Sequence, residues 1–488
     1  MAERSTITGS NNENRGKWAA EMAATTKLAF PIALAFVAEI AIVVADAVMV
    51  GQPAFLDGWL GSAGAIKLPY PSFSAEGLGA HLLFTPQLLA MGVLSSIAAL
   101  GAHADGAGDS AMLTRVVRQG LWLAVLLSIP VMLIIGMIPF ALPLISADER
   151  LVEMTTGMLM AGIAGVPALL LYTALRNFAT VLHKTRIVVI ISLLSLAVAI
   201  GSNWLFIYGN LGMPRLGVAG VGVSWSLASW VQLIVMLVYI RRQPELARYP
   251  VLHAILHADW KVLKDLVHVG WPISASYGFE SCMFLASTLM MARIGPDALA
   301  AHTAVISISS ISYMIPYGLS QAATVRVGYF TGGQDPLAAR RAGFAAIWLG
   351  IIWMAMTGTS MVLFPHTLVG FYIDVNSPVN QGALAVAFMI IPIGALFQIV
   401  DGIQCTAIGA LRGLKDTRWP MLMCFIGYCV IGMLSSLLLT FVLGVGPSGV
   451  WFGLFIGLCA AGGLLTWRFQ IQSRHLTLVG AAANVRAG

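Results

Sequence analysis

Long apolar runs, separated by short polar segments, extend along almost the whole chain. A helix needs about 20 apolar residues to cross the hydrocarbon core of a bilayer. Each run is apolar throughout and is bounded by glycine, proline or charge, which favours helices over the alternating pattern of a membrane barrel. Twelve runs qualify, at residues 28 to 51, 78 to 100, 118 to 139, 154 to 175, 187 to 209, 217 to 240, 266 to 292, 301 to 325, 343 to 365, 382 to 405, 419 to 443 and 449 to 469. The pattern therefore predicts an all-α polytopic membrane protein with twelve transmembrane helices.

Composition and charge strengthen this prediction and orient the helices. Of the 488 residues, 58% are hydrophobic and 10% are charged, which excludes an ordinary soluble fold. Cytoplasmic loops of membrane proteins carry an excess of Lys and Arg. With both termini in the cytoplasm, the inner segments hold 23 of the 27 basic residues, and the outer loops hold Lys67, Arg150, Arg215 and Arg293. We therefore expect a multi-pass protein of the inner (plasma) membrane, with its net charge of +6 reporting orientation and no nucleic-acid partner.

The two halves of the chain repeat each other weakly, in a consistent order. Pro31 and Glu39 recur as Pro272 and Glu280 with the same spacing. Further matches follow in order: Leu78 with Leu299, Asp109 with Asp335, Thr185 with Thr417, and Gly217 with Gly446. Because each copy has six helices, an even number, both copies run through the membrane in the same direction. The repeat predicts two pseudo-symmetric six-helix bundles.

The repeat also sets the expected domain boundaries. These are a cytoplasmic N-terminal tail (1–27), a first bundle (28–240), a cytoplasmic linker (241–265), a second bundle (266–469) and a cytoplasmic tail (470–488). The first outer loop, about 52 to 77, is longer than its counterpart in the second half. Its large side chains either cap the outer mouth or lie in the membrane interface: Phe55, Trp59, Pro69, Tyr70 and Pro71.

Four carboxylates, Glu39, Asp46, Glu280 and Asp401, fall inside predicted spans. An ionised residue at the centre of a membrane helix costs about 2.5 to 3.5 kcal/mol on insertion scales. We find no basic residue at comparable depth, and we expect Arg176 and Arg326 to mark inner helix ends and to snorkel. A cation supplied from outside the chain is then the expected partner, which indicates ion-coupled transport. The alternative is that each acid is protonated and hydrogen-bonded to a neighbouring helix.

Uncharged polar residues accompany these acids. Asp401 continues a stripe with Gln398 and Gln404 at helical spacing, and Asn203 offers an uncharged partner in the first bundle. Tyr313 and Tyr317 can supply phenolic hydroxyls near Glu280. All five cysteines fall inside predicted helices, and no GxxxxGK[ST] nucleotide-binding sequence occurs. We therefore expect no enzyme activity, no disulfide framework and no cofactor other than the coupling ion.

Three stretches of the chain resemble the multidrug and toxic compound extrusion (MATE) family, NorM branch. They are Pro31 to Gly51, Asn203 to Trp230 and Gln398 to Thr417, within a similarity that covers about residues 27 to 470. The resemblance implies a V-shaped pair of six-helix bundles that exports cationic, amphipathic compounds in exchange for Na+ or H+. Glu39 and Ala199 depart from the pattern of the family, in which uncharged polar residues stand at both positions.

The resemblance also assigns roles to residues. It implies that Asp46, Glu280 and Asp401 bind drug, proton or Na+, with Asn203 beside the first acid and Tyr313, within SYMIPYG, beside the second. The expected partners are small cationic drugs or dyes, Na+ or H+, and the lipid bilayer, with the protein acting as a monomer. A flippase for a lipid-linked precursor is the alternative, but it calls for basic residues in the cavity to hold pyrophosphate. A passive channel calls for polar rings from several subunits.

Overall fold

A computed structural model describes residues 2–51, 72–145, 148–251, 258–375 and 377–487, without the side chains of 2–15, 73, 145 and 479–487. Every regular element in these ranges is helical, as predicted. In the first half the helices are α1 (Ala2–Gly51), α2 (Ser72–Leu94), α3 (Ser96–Gly106), α4 (Ser110–Ile145), α5 (Glu149–Ile163), α6 (Val166–Val181), α7 (Thr185–Phe206), α8 (Val218–Arg242) and α9 (Pro244–Ala247). The predicted outer-loop residues Lys67, Phe55, Trp59, Pro69, Tyr70 and Pro71 lie outside the described residues.

The second half is also helical and contains two π-helical segments. Its helices are α10 (Trp260–Ile294), α11 (Pro296–Gly332), α12 (Pro336–Leu363), α13 (Pro365–Gly370), α14 (Gln381–Gly413), α15 (Arg418–Cys424), α16 (Met433–Leu437) and α17 (Pro447–Ala487). The π-helical segments, Phe425–Gly432 and Leu438–Val442, lie on either side of α16. Short 3-10 turns cover Asn210–Gly212 and Pro378–Asn380.

Ten helices in the described ranges are long and apolar enough to cross a membrane. The predicted span at 154 to 175 is a bent pair, α5 and α6, with an angle of 49° between them, and it makes an eleventh. The predicted span at 266 to 292 corresponds to α10, which has 35 residues but carries Ser276, Tyr277 and Glu280 among its apolar positions. Large apolar side chains such as Phe140 and Met137 of α4 are exposed, as expected for a surface that faces lipid. The fold is that of a multi-pass helical membrane protein.

The backbone repeats the same turns in the two halves. Three pairs of repeat-related residues have a left-handed backbone: Gly108 and Gln334, His183 and Lys415, and Gly217 and Gly446. In the first pair, the N–H of the next residue bonds to the carbonyl oxygen five residues back, from Asp109 to Ala104 and from Asp335 to Phe330, both at 2.9 Å. This bond is typical of a helix that ends in a left-handed residue. The weak sequence repeat therefore has a structural counterpart at its helix ends.

Packing divides the chain into two compact units. One unit contains residues 1–34, 102–109 and 275–488, and the other contains 35–101 and 110–274. Within the first unit, Arg326 donates two hydrogen bonds to the carboxylate of Glu21, at 2.7 and 2.8 Å. Arg326 therefore makes an ion pair, which corrects the expectation that its side chain only snorkels. The Nε2 atom of His103 also lies 2.7 Å from the carbonyl oxygen of Gly413 in this unit.

A large apolar core supports the first unit. It is built largely on α11, α12, α14 and α17, and its largest fully buried members are Trp451, Tyr428, Phe397 and Phe469. Trp451 packs edge-on against both Phe397 and His302. Because α11 and α14 pack against each other along this core, the polar residues they carry are held at fixed positions in a rigid frame.

Candidate cation- and substrate-binding sites

The first polar cluster is built around Asp46, which lies on α1 and is 1% exposed. Both carboxylate oxygens accept hydrogen bonds from neighbouring helices. The amide Nδ2 of Asn203, on α7, donates to Oδ1, and the indole Nε1 of Trp225, on α8, donates to Oδ2 at 2.7 Å. Both donors are neutral. The structure therefore brings Asp46 and Asn203 together as predicted and adds Trp225, which the sequence analysis did not identify.

Apolar layers lie on both sides of this cluster. One helical turn toward the start of α1, Ile42 packs with Ala199 and Ala228. Toward the C-terminal end of α1, a larger set of buried residues packs together: Met49, Val50, Ala75, Met158, Ile207, Tyr208, Val218 and Val221. Asp46 and its donors therefore form a thin polar layer within an apolar environment.

Glu76, near the start of α2, is a second buried acid beside Asp46. It is 3% exposed, and Asp46 is close enough to act on it electrostatically. Glu76 fell outside the predicted span because hydropathy placed the start of the helix at residue 78, whereas α2 begins at Ser72. The repeat held a signal, since the spacing that relates Leu78 to Leu299 also relates Glu76 to Asp297.

Glu39 lies outside this cluster and has a basic partner. The Nη1 atom of Arg176, on α6, donates to Oε1 of Glu39 at 2.9 Å. Arg176 is 8% exposed, and its guanidinium lies over the rings of Phe36 and Tyr172 at 5.0 and 5.8 Å. The prediction that Arg176 snorkels was wrong, because the face of α1 that carries Phe36 and Glu39 gives its guanidinium both an ion-pair partner and aromatic surface.

The second polar cluster surrounds a cavity in the unit that contains residues 275–488. Its lining residues come from α10, α11 and α14: Ser276, Tyr277, Glu280, Tyr313, Tyr317, Ser320, Gln404, Cys405, Ile408 and Arg412. Glu280 and Tyr313 were both predicted to lie here. Tyr313 and Tyr317 are one turn apart, and their rings stack with centroids 6.1 Å apart.

Arg412 places a fixed positive charge in this cavity. It is 4% exposed, donates to the hydroxyl of Tyr277 at 3.1 Å and lies over its ring at 5.0 Å. The Tyr277 hydroxyl is also 3.2 Å from that of Tyr317. The guanidinium is close enough to Glu280 to act on its carboxylate. The expectation that no basic residue lies deep in the protein is therefore wrong here too, because α14 continues to Gly413, beyond the predicted end at 405.

Asp401 and Gln404 lie on the same stripe of α14 as Arg412. Asp401 is buried and close enough to Glu280 for the two acids to interact. The Oε1 atom of Gln404 is buried and has no hydrogen-bond donor among the described residues. Residues 401, 404, 405, 408 and 412 recur at helical spacing, so that Asp401, Gln404 and Arg412 lie on one face of α14.

Gln398, the remaining predicted residue, is used elsewhere. Its Oε1 accepts from Thr357 at 2.8 Å, and its Nε2 contacts the sulfur of Met361 at 2.6 Å. Gln398 does not line the cavity around Glu280. It therefore joins α14 to α12 as a packing residue, one turn removed from Asp401.

Both clusters offer hard oxygen ligands. No group of three or more His, Cys, Asp or Glu side chains suited to a metal ion occurs among the residues for which coordinates are described. Carboxylate, amide and hydroxyl oxygens together are ligands for hard cations such as Na+, and carboxylates also accept protons. The donor sets thus fit a small monovalent cation or a proton, while the tyrosines of the second cluster also suit an organic cation.

Comparisons with known proteins agree with one another. The MatE family model matches residues 63–205 and 272–438. The "Probable multidrug resistance protein NorM" of Synechococcus sp. is 36% identical, covering 94% of this chain and 96% of the relative. The "Multidrug resistance protein NorM" of Burkholderia vietnamiensis is 34% identical, covering 93% and 94%.

Solved structures share the fold. An outward-facing multidrug resistance MATE family transporter of the MOP superfamily has a TM-score of 0.81 at 16% identity, covering 93% of this chain and 96% of that one. The eukaryotic MATE transporter AtDTX14 has a TM-score of 0.79 at 19% identity, covering 95% and 100%. With the family model matched over more than half of its length, this chain belongs to the MatE family of membrane transporters.

Proposed function

We propose that this protein is a secondary active multidrug antiporter, which exports cationic amphipathic compounds in exchange for Na+ or H+ by alternating access. The observation that carries the proposal is the environment of Asp46. This carboxylate is buried, both of its oxygens accept hydrogen bonds from neutral donors, and no basic side chain pairs with it within the described part of the chain. The names of the relatives, as multidrug resistance proteins, support the substrate class.

A buried carboxylate without a counter-ion is unstable when ionised, and binding a cation or a proton removes that instability. In Asp46, the hydrogen bonds from Asn203 and Trp225 fix the side chain so that the binding geometry exists before the cation arrives. A cation that binds one state of the protein better than the other shifts the equilibrium between them. Exchange follows if the drug and the coupling cation compete with each other for binding to the negatively charged protein.

The second cluster supports binding of an organic cation. Glu280 lines the cavity, and Asp401 is close enough to interact with it; together the two acids exceed the single positive charge of Arg412, so that the ionised cluster carries one net negative charge. The rings of Tyr313 and Tyr317 present aromatic surface beside these acids. Aromatic faces attract cations and accept flat apolar groups without a strict shape requirement.

We further propose the inner membrane as the location, a cytoplasmic position for both termini and a monomeric state. The distribution of Lys and Arg supports the orientation. Labelling single cysteines, introduced near residues 20 and 475, with a membrane-impermeant maleimide in intact cells tests it. Both sites should stay unlabelled until the membrane is permeabilised.

Efflux of ethidium from proteoliposomes, with Na+ and pH gradients imposed separately, tests the antiport. One gradient should drive efflux, and Asp46→Asn should abolish the dependence on it. Glu280→Gln and Asp401→Asn should weaken dye transport by at least about tenfold, since each removes the full charge that attracts the dye. Efflux that ignores both gradients, or full activity in all three variants, would contradict the proposal.

The lipid-linked precursor flippase is kept as the second candidate because Arg412 lines the cavity. A pyrophosphate group needs several strong donors without competing negative charge. Here two acids lie near the single arginine, so that an anionic headgroup would meet net repulsion. Transfer of a fluorescent lipid pyrophosphate across the same vesicles, at a rate above that of protein-free vesicles, would favour this candidate over the antiporter.

A further inference from the structure

Glu76 is a buried acid that the mechanism above does not use. Its side chain is 3% exposed, and no hydrogen bond or ion pair to it occurs among the described residues. Burying an ionisable group without a partner is unfavourable, so such groups are rare outside functional sites. The charged group that acts on it electrostatically is Asp46, which carries the same sign.

A second unsatisfied group points to a ligand in the same place. Asn203 is fully buried, and while its Nδ2 donates to Asp46, its Oδ1 has no hydrogen-bond donor among the described residues. Amide nitrogen and oxygen belong to the same small group, so this free acceptor lies beside the Asp46 carboxylate. An unsatisfied acceptor beside a carboxylate favours a positively charged ligand and cannot be satisfied by another acceptor.

No basic side chain pairs with either acid among the described residues. The charged residues of α5 nearest this end of the unit, Glu149, Arg150 and Glu153, are exposed. Arg176 of α6 is engaged by Glu39, and the arginines of α4 and α8 lie near the opposite ends of their helices: Arg115, Arg118, Arg241 and Arg242. Two like charges in an apolar surrounding are stabilised only by a shared cation or proton.

The repeat provides an internal comparison. Asp297, at the position related to Glu76, occupies the first turn of α11 and is exposed. The same place in the fold therefore carries an ordinary solvated acid in one half and a buried acid in the other. Burial of Glu76 is a property of the site at Asp46 and is not a general requirement of the helix start.

We propose that Glu76 is a second cation-binding residue, which holds the coupling cation together with Asp46 and the Oδ1 atom of Asn203. This inference rests on the proposed antiport function, because it concerns the ion that drives transport. Asp46 lies near the last turn of α1 and Glu76 near the first turn of α2, which are the two helix ends that residues 52–71 connect. A cation that enters from that side binds between the two carboxylates.

Equilibrium binding to the purified full-length protein tests this role without depending on transport. Radiolabelled Na+ is the first probe. The second is the pH midpoint of tryptophan fluorescence, assigned to the site by its loss in Trp225→Phe, because Trp225 donates to Asp46. Glu76→Gln should raise the Na+ or proton concentration at half-saturation by about tenfold, since it removes one of two attracting charges. Asp297→Asn is the matched control and should leave the value unchanged.

Each outcome decides the proposal. The proposal is overturned if Glu76→Gln reaches half-saturation at the same Na+ and proton concentrations as the parent protein. It is also overturned if Asp297→Asn shifts these concentrations as much as Glu76→Gln does. Should Glu76→Gln not fold, Glu76→Asp moves the oxygens by one methylene and should shift half-saturation by about threefold; an unshifted value then overturns the proposal. Loss of gradient-driven efflux in the parent protein would instead refute the antiport function, and the binding result for Glu76 would stand independently.

Discussion

Among single residues, the predicted acids differ in whether a positive charge lies beside them. Glu39 has Arg176 as a direct partner, and Glu280 has Arg412 within electrostatic reach. Asp46 has only neutral donors. A paired acid stabilises a fold or fixes a neighbour, whereas an unpaired one gains stability by taking up a cation. Of the four predicted acids, Glu39 is the one with a direct ion pair, and we therefore expect a structural role for it; Asp46, Glu280 and Asp401 remain candidate binding residues.

Removing one member of the Glu39 and Arg176 pair should destabilise the protein more than removing both. Glu39→Gln leaves the buried guanidinium without its counter-charge, which we expect to cost about 2 to 4 kcal/mol of the free energy of unfolding. The double variant Glu39→Gln with Arg176→Gln should recover part of this loss. Thermal unfolding in detergent measures the effect. Single-variant losses that simply add in the double variant would show that the two residues do not interact.

Among the helices, the span that begins with α15 departs most from regular geometry. Two π-helical segments, Phe425–Gly432 and Leu438–Val442, interrupt it. Its glycines face the glycines of α17, and a Cβ atom added at Gly457 would lie 2.6 Å from the Cα of Gly432. Small residues allow helix backbones to approach closely in membranes. The irregular span is thus held against α17 by backbone proximity.

Gly457→Ala should therefore destabilise the protein by about 1 to 3 kcal/mol, because the added methyl group forces the two backbones apart. Gly463→Ala on the same helix is the matched control, since nothing lies within 4 Å of a Cβ atom added there. Comparison of the two melting temperatures gives the answer. Equal temperatures for the two variants would mean that the glycine contact contributes nothing to stability.

For the whole molecule, the two units carry different fixed charges. In one unit, Arg412 lies near the acids Glu280 and Asp401. In the other, Arg176 pairs with Glu39, so that Asp46 and Glu76 have no basic partner among the described residues.

A membrane potential of about 100 mV supplies roughly 2.3 kcal/mol per charge moved, and one pH unit supplies about 1.4 kcal/mol per proton. When a monovalent drug exchanges for a single monovalent cation, the contribution of the potential cancels.

The fixed charge in the second cavity should set its affinity for cations. Arg412→Gln removes a repelling charge near Glu280, so that the binding affinity for ethidium should rise by about three- to tenfold. Arg412→Lys keeps the charge and should bind close to the parent's affinity. Fluorescence anisotropy of the dye measures both. Weaker binding of ethidium by Arg412→Gln would contradict this prediction and would mean that Arg412 supports the substrate directly. For an anionic substrate, the flippase candidate requires that same loss of affinity.

Hydropathy and the repeat predicted the helical class and most of the spans, and the family resemblance implied that Asn203 lies beside Asp46. They could not predict which face of each helix turns toward its neighbours, and for this reason the partnership of Arg176 with Glu39 and the separate role of Gln398 were missed. Helix ends were the second source of error. Glu76 and Arg412 both lie in helical turns that extend beyond the apolar runs. A helix continues for as long as its backbone stays hydrogen-bonded, so its end need not coincide with the end of an apolar run.

The apolar layer of Ile42, Ala199 and Ala228 acts as electrical insulation under the Asp46 site. An ion that reached this layer would have to give up its oxygen ligands with nothing to replace them, which is the barrier that prevents charge from leaking through a membrane protein. In the proposed antiport cycle, a cation at Asp46 would leave by the side from which it arrived until the protein changed conformation. In that cycle, the three apolar side chains would protect the ion gradient from being dissipated without transport of the drug.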